Sequence, residues 1–472
     1  MLRRHWPFAL VLAVGAALRL ACEIAYRPAL FYSDSWGYLS MAHGSGIVSF
    51  APLRPSGYPV VLKILSVVGD GLVATTWAQH LAGLATGTIV YALLRTLGVR
   101  RWAASTAAAF VVLDAWAIAL EQYVLAEAFF GLLIAAAVAA SLIAVLRRAG
   151  TEIGLGVAGL CFAAAALMRP VALFAVPAWL VWMAWARVGR RAALAGIVAL
   201  AVPLLVYSTV HASVTGNFGL TQAEGWFLYG RVGPIAGCEG INVEPAARGL
   251  CRRPARAAHE GQSFFMFNRQ SPARRAFGGI SASSKRQAQT NRILRHFALQ
   301  VIEQRPGEYL KLAGGDFLRF MRPGPRARYR EDLTVQFPKS ARIRFDERTV
   351  RQRLFPGLRP HADAPAPALR AYGAVFHTSR VLIALVTLLS LVALVLGIRR
   401  RDPAARALFL PWAVAILMLL GTAASAGFAL RYLVPLVTEF AIAATLSVEL
   451  VARSLGSGRR VAQTPPRAAG EP

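Results

Sequence analysis

The feature that most constrains this chain is a series of apolar stretches, each about as long as a membrane is thick. A helix needs about 20 mostly apolar residues to cross the hydrocarbon core of a bilayer. Of the 472 residues, 56% are hydrophobic and only 16% are charged. The sequence therefore predicts an all-α polytopic membrane protein. We expect about ten transmembrane spans, at residues 6–23, 73–95, 102–120, 123–146, 152–168, 171–186, 192–211, 377–398, 405–426 and 430–452.

The distribution of arginine predicts how these spans are oriented. Lys and Arg concentrate in short cytoplasmic loops of membrane proteins. With the N-terminus inside, the predicted cytoplasmic turns and tail contain Arg95, Arg100, Arg101, Arg147, Arg148, Arg187, Arg190, Arg191, Arg399, Arg400, Arg401, Arg459 and Arg460. We therefore expect a multi-pass plasma-membrane protein with both termini in the cytoplasm. The net charge of +29 lies on no basic soluble domain, which argues against nucleic-acid binding and favours contact with membrane lipids.

The spans divide the chain into four predicted parts. Residues 1–211 form a membrane module whose first loop, 24–72, faces outwards, and residues 212–376 form a large extracytoplasmic loop. Long loops are exported largely regardless of their charge. Residues 377–452 hold the last three spans, and 453–472 form a disordered cytoplasmic tail.

The large loop has two features of its own. Apolar residues at helical spacing predict two amphipathic helices, Asn291–Gln304 and Pro306–Arg322, lying on the membrane or over the site. Cys238 and Cys251 both lie in this loop, and we expect them to form a disulfide if it is outside the cell.

The first outer loop contains two residues suited to chemistry. Asp34 lies near the start of a short amphipathic helix, where its carboxylate could act as a general base or hold a divalent cation. The alternative is that Ser33 or Asp34 simply caps this helix. Arg54 lies in a proline-rich turn beside Tyr58, and a guanidinium there suits an anionic headgroup or phosphate. Contact with ordinary lipid phosphates is the alternative for Arg54.

Four more charged residues are predicted at the same side of the membrane. Glu121 and Glu127 open the fourth span, Arg169 lies in the hairpin between spans five and six, and Arg431 opens the last span. Glu121 alone would be explained by the helix dipole, and Arg431 by an interfacial anchor. Glu127 lies deeper and requires a partner, for which Arg169 is the candidate. Asp34, the pair Glu121 and Glu127, and the three arginines around one outer cavity would match an anionic lipid-linked substrate.

The order of these features resembles the GT-C superfamily of membrane glycosyltransferases, which includes protein O-mannosyltransferases and the aminoarabinose transferases that modify lipid A. The resemblance is carried by Asp34 with Trp36 and Tyr38, by the turn Arg54–Pro59, and by Glu121 and Glu127. The loop around Cys238 and Cys251 is similar to that of uncharacterised actinobacterial members. Many relatives have paired acids in the first loop, whereas here serines flank Asp34. A second carboxylate would therefore come from Glu121 or Glu127.

The resemblance implies a GT-C-like fold with juxtamembrane helices in the first outer loop. It also implies transfer of a sugar from a polyprenyl-phosphate donor to an extracytoplasmic acceptor. Asp34 would be the base. The substrate would be bound by Arg54, Tyr58, Glu121, Glu127, Arg169 and Arg431. Asp34 and Glu127 are the candidate ligands for a divalent cation, Mg²⁺ or Mn²⁺. The rival functions are a lipid or solute transporter and a non-catalytic membrane scaffold. A transporter would place polar residues and broken helices at mid-membrane depth.

Overall fold

Helices dominate the computed structural model of the chain, which describes residues 2–147, 150–239, 243–251, 261–280, 284–323, 335–341 and 348–461. Arg148 and residues 462–472 of the predicted tail lie outside the described residues. In the first 215 residues the helices are α1 (Leu2–Ala25), α2 (Ser33–Ala42), α3 (Gly57–Leu65), α4 (Gly71–Thr96), α5 (Arg101–Val112), α6 (Ala115–Gln122), α7 (Glu127–Arg147), α8 (Thr151–Met168), α9 (Val176–Trp185) and α10 (Arg190–Thr215).

The remaining helices belong to the large loop and the C-terminal spans. They are α11 (Glu224–Val232), α12 (Gln262–Phe267), α13 (Pro272–Phe277), α14 (Ser284–Gln304), α15 (Pro306–Arg319), α16 (Arg348–Leu354), α17 (Pro365–Val375), α18 (Arg380–Arg399), α19 (Ala404–Ser425) and α20 (Val437–Val461). Short 3₁₀ helices cover Pro170–Ala175, Gly233–Ile235, Pro245–Cys251, Leu430–Tyr432 and Val434–Leu436. Strands β1 (Tyr26–Arg27) and β2 (His361–Ala362) pair antiparallel and tie the end of α1 to the large loop.

The polytopic helical architecture predicted from the sequence is confirmed. Among the described residues, seven helices are long and apolar enough to cross a membrane. The pair α5 and α6, bent by 44° at their junction, makes an eighth if it is one span. The other two predicted spans are also helical. The apolar helix Pro170–Trp185 is shorter than a usual span, and α4 has 26 residues but buries several polar side chains.

The first loop folds into two short helices, as the sequence predicts. α2 carries Asp34, and α3, with only 9 residues, is too short to cross the membrane. An isolated bridge between Leu30 and Tyr123 connects the segment before α2 to the break between α6 and α7. This bridge brings the first loop beside the start of α7.

The large loop has a hydrophobic core of its own. Aromatic residues of three helices fill it, including Trp226 of α11, Phe265 of α12 and Phe297 of α14. The apolar face of α14 is therefore buried within the loop, where the sequence predicted a helix on the membrane or over the site. Cys238 and Cys251 form a disulfide at the edge of this core.

Candidate functional site

Asp34 occupies the second position of α2, and its carboxylate faces away from the helix backbone. At the start of α2, the Tyr32 N–H donates a hydrogen bond to the Ser35 hydroxyl at 2.9 Å. The preceding residue, Tyr32, has an extended backbone and occupies the cap position. Capping, the alternative raised for Ser33 and Asp34, is thus performed by other residues. The Asp34 carboxylate is left to make side-chain contacts.

Two arginines that are far apart in sequence meet at this carboxylate. Arg54 donates from Nη2 to Oδ1 of Asp34 at 2.6 Å, and Arg431 donates from Nη1 to Oδ2 at 2.9 Å. Arg169 forms an ion pair with Glu127, and Arg431 Nη1 lies 4.0 Å from Glu127 Oε1. We call these five residues the Asp34 cluster. The structure thus brings together five of the seven site residues predicted from the sequence.

The Asp34 cluster has more positive than negative charge. Three guanidinium groups face two carboxylates, which leaves one formal positive charge. The Asp34 side chain is 22% exposed and that of Arg54 is 19% exposed, whereas that of Glu127 is only 2% exposed. The cluster is therefore partly open on the Asp34 side and closed behind Glu127.

Tyrosine rings hold the three guanidinium groups in place. The Arg431 guanidinium carbon lies 4.9 Å from the centre of the Tyr32 ring and 5.2 Å from that of Tyr432. Arg169 also lies over Tyr432, at 5.0 Å, and Arg54 lies over Tyr38, at 5.1 Å. Each contact is a cation–π interaction. A side chain at Gly37 would lie 2.6 Å from Arg54 Nη1, so this glycine makes room for the guanidinium.

The electrostatics keep Asp34 ionised. Burial acts to raise the pKa of its carboxyl group, but the charges of Arg54 and Arg431 and their hydrogen bonds hold it well below its usual value. Burial raises the pKa of Tyr38 to about 12, so this phenol stays protonated. In the free protein the Asp34 cluster therefore contains a carboxylate anion held by two cations.

Tyr58 lies behind the cluster. Its ring packs edge-on against Tyr38, with centroids 4.9 Å apart, and its hydroxyl donates to Gln79 Oε1 at 2.7 Å. Tyr58 contacts Tyr38, and Tyr38 lies under Arg54. Tyr58 therefore supports the wall that carries Arg54, although the sequence suggested substrate binding for it.

Glu121 belongs to a different group of charges. It accepts a hydrogen bond at Oε1 from Arg19 Nη2 at 2.8 Å, and its Oε2 lies 2.8 Å from His80 Nδ1. His80 Nε2 lies 3.7 Å from Glu23 Oε1. We call Arg19, Glu23, His80 and Glu121 the Glu121 network. All four residues are at most 8% exposed.

The structure places Glu121 and Glu127 in different groups of charges, because Glu121 pairs with Arg19 and Glu127 with Arg169. Both acids nevertheless line the same cavity, which has a volume of about 50 Å³. That volume holds water molecules but not a sugar. A Cβ atom at Gly83 of α4 would lie 1.9 Å from Glu121 Oε1. Glycine at this position therefore leaves room for the Glu121 carboxylate.

Sequence reasoning missed Glu23, His80 and Gln79, and it assigned no role to Arg19 within the first span. The available signal was polarity inside a predicted span, since charged side chains at membrane depth need partners. Arg19 and Glu23 are separated by one helical turn, and Gln79 and His80 lie together within the second span. Their partner at position 121 could not be identified without knowing how the helices pack.

The residues present do not fit the divalent cation considered from the sequence. Both Asp34 oxygens accept hydrogen bonds from arginines, and Glu127 is paired with Arg169. Within the described part of the chain, no group of three or more His, Cys, Asp or Glu side chains is arranged to hold a metal ion.

Comparison with known proteins supports the resemblance drawn from the sequence. Residues 60–214 match the family model described as dolichyl-phosphate-mannose-protein mannosyltransferase. The match covers about a third of the chain and includes α3 to α10, apart from the first residues of α3 and the last of α10. It confirms the resemblance to GT-C membrane glycosyltransferases over this region. None of the curated proteins matches the sequence.

Two solved structures are similar to the chain at low sequence identity. The archaeal oligosaccharyltransferase AglB from Archaeoglobus fulgidus, in complex with an inhibitory peptide and a dolichol-phosphate, is 12% identical, with a TM-score of 0.44. That match covers 100% of this chain and 53% of AglB, so the chain spans about half the length of that protein. ArnT from Cupriavidus metallidurans, bound to undecaprenyl phosphate, is 16% identical, with a TM-score of 0.36 over 97% of this chain and 81% of ArnT.

Proposed function

We propose that the protein is a membrane glycosyltransferase that transfers a sugar from a polyprenyl-phosphate donor to an extracytoplasmic acceptor, such as a cell-envelope glycan, lipid or protein. The observation that carries this proposal is the unbalanced charge of the Asp34 cluster. Three arginines and two acids leave one positive charge in a partly buried site. A sugar–phosphate–lipid diester carries one negative charge and would neutralise it. The family match over residues 60–214 supports the same class of donor.

The surroundings of Arg169 suit the lipid part of such a donor. Arg169 lies at a narrow cleft whose other lining residues are mostly apolar, among them Phe130, Met418 and Leu436. The cleft has a volume of only about 10 Å³, and Phe130, Met418 and Leu436 are at most 3% exposed. A polyprenyl chain would therefore have to open the cleft to lie beside Arg169 while its phosphate remains with the guanidinium groups. Planar guanidinium groups match the oxygens of a phosphate better than ammonium groups do.

Each member of the cluster has a role in the proposed reaction. The acceptor oxygen attacks the anomeric carbon, the bond from that carbon to the phosphate oxygen breaks, and its electron pair stays on the phosphate. The acceptor proton moves to Asp34. Attack from the side opposite the phosphate inverts the anomeric centre. The arginines stabilise the second negative charge that develops on the departing phosphate.

The hydrogen bonds at Asp34 explain how a strongly stabilised carboxylate could still act as a base. In the free protein, Arg54 and Arg431 both donate to Asp34. A donor phosphate would compete for the same guanidinium groups and weaken both hydrogen bonds. The carboxylate then becomes more basic when the donor is present. Glu127 keeps Arg169 oriented throughout.

The test is the substitution Asp34→Asn, which keeps the size of the side chain and removes its negative charge. The purified protein is supplied with polyprenyl-phosphate sugars and extracted envelope glycans, lipids and proteins, and release of polyprenyl phosphate is measured. We expect the variant to lose about 10²- to 10⁴-fold in rate, the usual contribution of a general base. The matched control is Asp363→Asn, at an aspartate whose carboxylate faces His361. Full activity of Asp34→Asn would exclude Asp34 as the base, and a wild-type protein inactive with every such donor would exclude the proposed function.

A further inference from the structure

The break between α6 and α7 is the part of the backbone on which the Asp34 cluster depends most. α6 ends at Gln122 and α7 begins at Glu127, so the first residue after the break is a member of the cluster. Leu30 N–H donates to the Gln122 carbonyl at 2.9 Å, and Val124 N–H donates to the Leu30 carbonyl at 3.0 Å. The same break therefore anchors the segment that leads into α2 and Asp34.

Breaking a helix leaves backbone carbonyls without their usual partners, and inside a membrane protein these must be satisfied by other groups. Gln79 of α4 satisfies two of them. Its Nε2 donates to the carbonyl of Glu121 at 2.6 Å and to that of Tyr123 at 2.8 Å. Its Oε1 accepts from the Tyr58 hydroxyl at 2.7 Å. Gln79 is fully buried and so links the break to the wall under Arg54.

His80, the next residue, holds the other side of the break. Its Nδ1 lies 2.8 Å from Glu121 Oε2 and its Nε2 lies 2.9 Å from Gln122 Oε1. The Gln122 amide nitrogen donates to the Tyr26 carbonyl, which orients Oε1 towards His80. Both imidazole nitrogens thus lie within hydrogen-bond distance of side-chain oxygens.

We propose that Gln79 and His80 are positioning residues, which hold the break between α6 and α7 so that Glu127 orients Arg169 and the first loop presents Asp34. This inference rests on the proposed function for its catalytic consequence. Neither residue contacts the Asp34 cluster directly. Gln79 acts through the carbonyls of Glu121 and Tyr123, and His80 acts through the side chains of Glu121 and Gln122. A misplacement of about 1 Å caused by a substitution away from the reacting atoms can cost on the order of 100-fold in rate.

The test uses two substitutions of similar size to glutamine. Gln79→Glu retains an acceptor for Tyr58 but loses both N–H donors and places a carboxylate against two carbonyls. Gln79→Met removes all three hydrogen bonds without adding charge. We expect both variants to lower the transfer rate about 10- to 100-fold, with part of the loss as a higher KM for the donor. The matched control is Thr88→Val on the same helix, because Thr88 is exposed and its hydroxyl bonds to the Leu84 carbonyl of its own helix.

A double substitution separates positioning from simple loss of structure. If Gln79 acts through Glu127, Gln79→Met should add little to the loss caused by Glu127→Gln. If the two losses multiply instead, Gln79 does not work through Glu127, and the part of the proposal that concerns Glu127 is overturned. Unchanged kinetics of the single Gln79 variants in an active protein would overturn the proposal.

Hydrogen–deuterium exchange, which needs no substrate, tests the positioning role of Gln79 separately from the proposed function. Hydrogen–deuterium exchange at residues 121–127 should become faster in Gln79→Met than in Thr88→Val. If the wild-type protein transfers no sugar, the proposed function fails, and faster exchange would still show that Gln79 holds the break. Equal exchange in the two variants would refute the positioning role even if the protein is a glycosyltransferase.

Discussion

The Asp34 cluster and the Glu121 network are both built from arginines and acids, yet they differ in charge balance and burial. The cluster has three arginines and two acids and remains partly exposed at Asp34 and Arg54. In the network Glu121 forms an ion pair with Arg19, His80 lies between Glu121 and Glu23, and all four residues are at most 8% exposed. Charges that are paired within the protein need no ligand. A group of charges that lacks an anion and is open on one side has the properties of a binding site.

The two groups meet the requirement that buried charges be paired in different ways. Buried ions must be paired and hydrogen-bonded, whichever part of the protein contains them. In the Glu121 network, the Glu121 carboxylate is paired with Arg19 of the chain itself. In the Asp34 cluster, tyrosine rings and two carboxylates hold the arginines while one positive charge is left for an anion. The Glu121 network joins α6 to α1 and α4. The Asp34 cluster instead provides a site for an anion.

The largest expected effect concerns the stability of the two groups. Arg19→Met removes one partner of a buried ion pair, and we expect a loss of about 3–5 kcal/mol in the free energy of unfolding. Arg54→Met removes a partly exposed partner of Asp34, which keeps Arg431, and should cost less than Arg19→Met. Thermal and denaturant unfolding in detergent would measure both. Equal losses for the two variants would show that the groups do not differ in the way described.

A smaller effect is expected for donor binding. Arg431→Ala removes a charge-assisted contact to the proposed phosphate, typically about 1.5–3 kcal/mol. The KM for the polyprenyl-phosphate donor should therefore rise about 10- to 100-fold. Steady-state kinetics with varied donor concentration would measure this rise. A fall in kcat alone, with KM unchanged, would argue that Arg431 acts on the transition state and does not bind the donor in the ground state.

The two groups could be predicted from the sequence to different extents. Asp34, Arg54, Glu127, Arg169 and Arg431 were all placed in one layer, because each lies at the same predicted end of a span or loop. Glu121 was placed there too, but it is the second-last residue of α6, just before the break, and points to α1 and α4. A span assignment gives depth in the membrane but not the direction in which a side chain points around a helix.

The same limit explains the differences in the fold. The spacing of apolar residues predicts the helix α14 but not the surface against which its apolar face packs. In the structure this face packs in the core of the large loop. α4 was predicted as an ordinary span, although Gln79 and His80 give it a polar face. Local periodicity predicts that a helix exists, whereas its neighbours depend on contacts between residues distant in sequence.

The smallest expected effect concerns pH. The pKa of Asp34 is held below its usual value of 3.8, so its pairing with Arg54 and Arg431 contributes fully to stability above about pH 4 and is lost only as the pH falls well below that. Protonation of Asp34 should therefore not lower kcat/KM between pH 5 and pH 7. A pH–rate profile of the wild-type protein would test this. An acidic limb with a midpoint near pH 6 that Asp34→Asn abolishes would contradict the electrostatics described here.

The most direct test of the central claim is the binding of a polyprenyl phosphate, measured by native mass spectrometry on the wild-type protein and on two charge variants. The account predicts that the wild-type protein and Asp363→Asn bind the lipid phosphate, and that Arg431→Ala binds it about 10- to 100-fold more weakly. Equal binding by all three proteins would show that the anion is held elsewhere and that the Asp34 cluster is not the phosphate site.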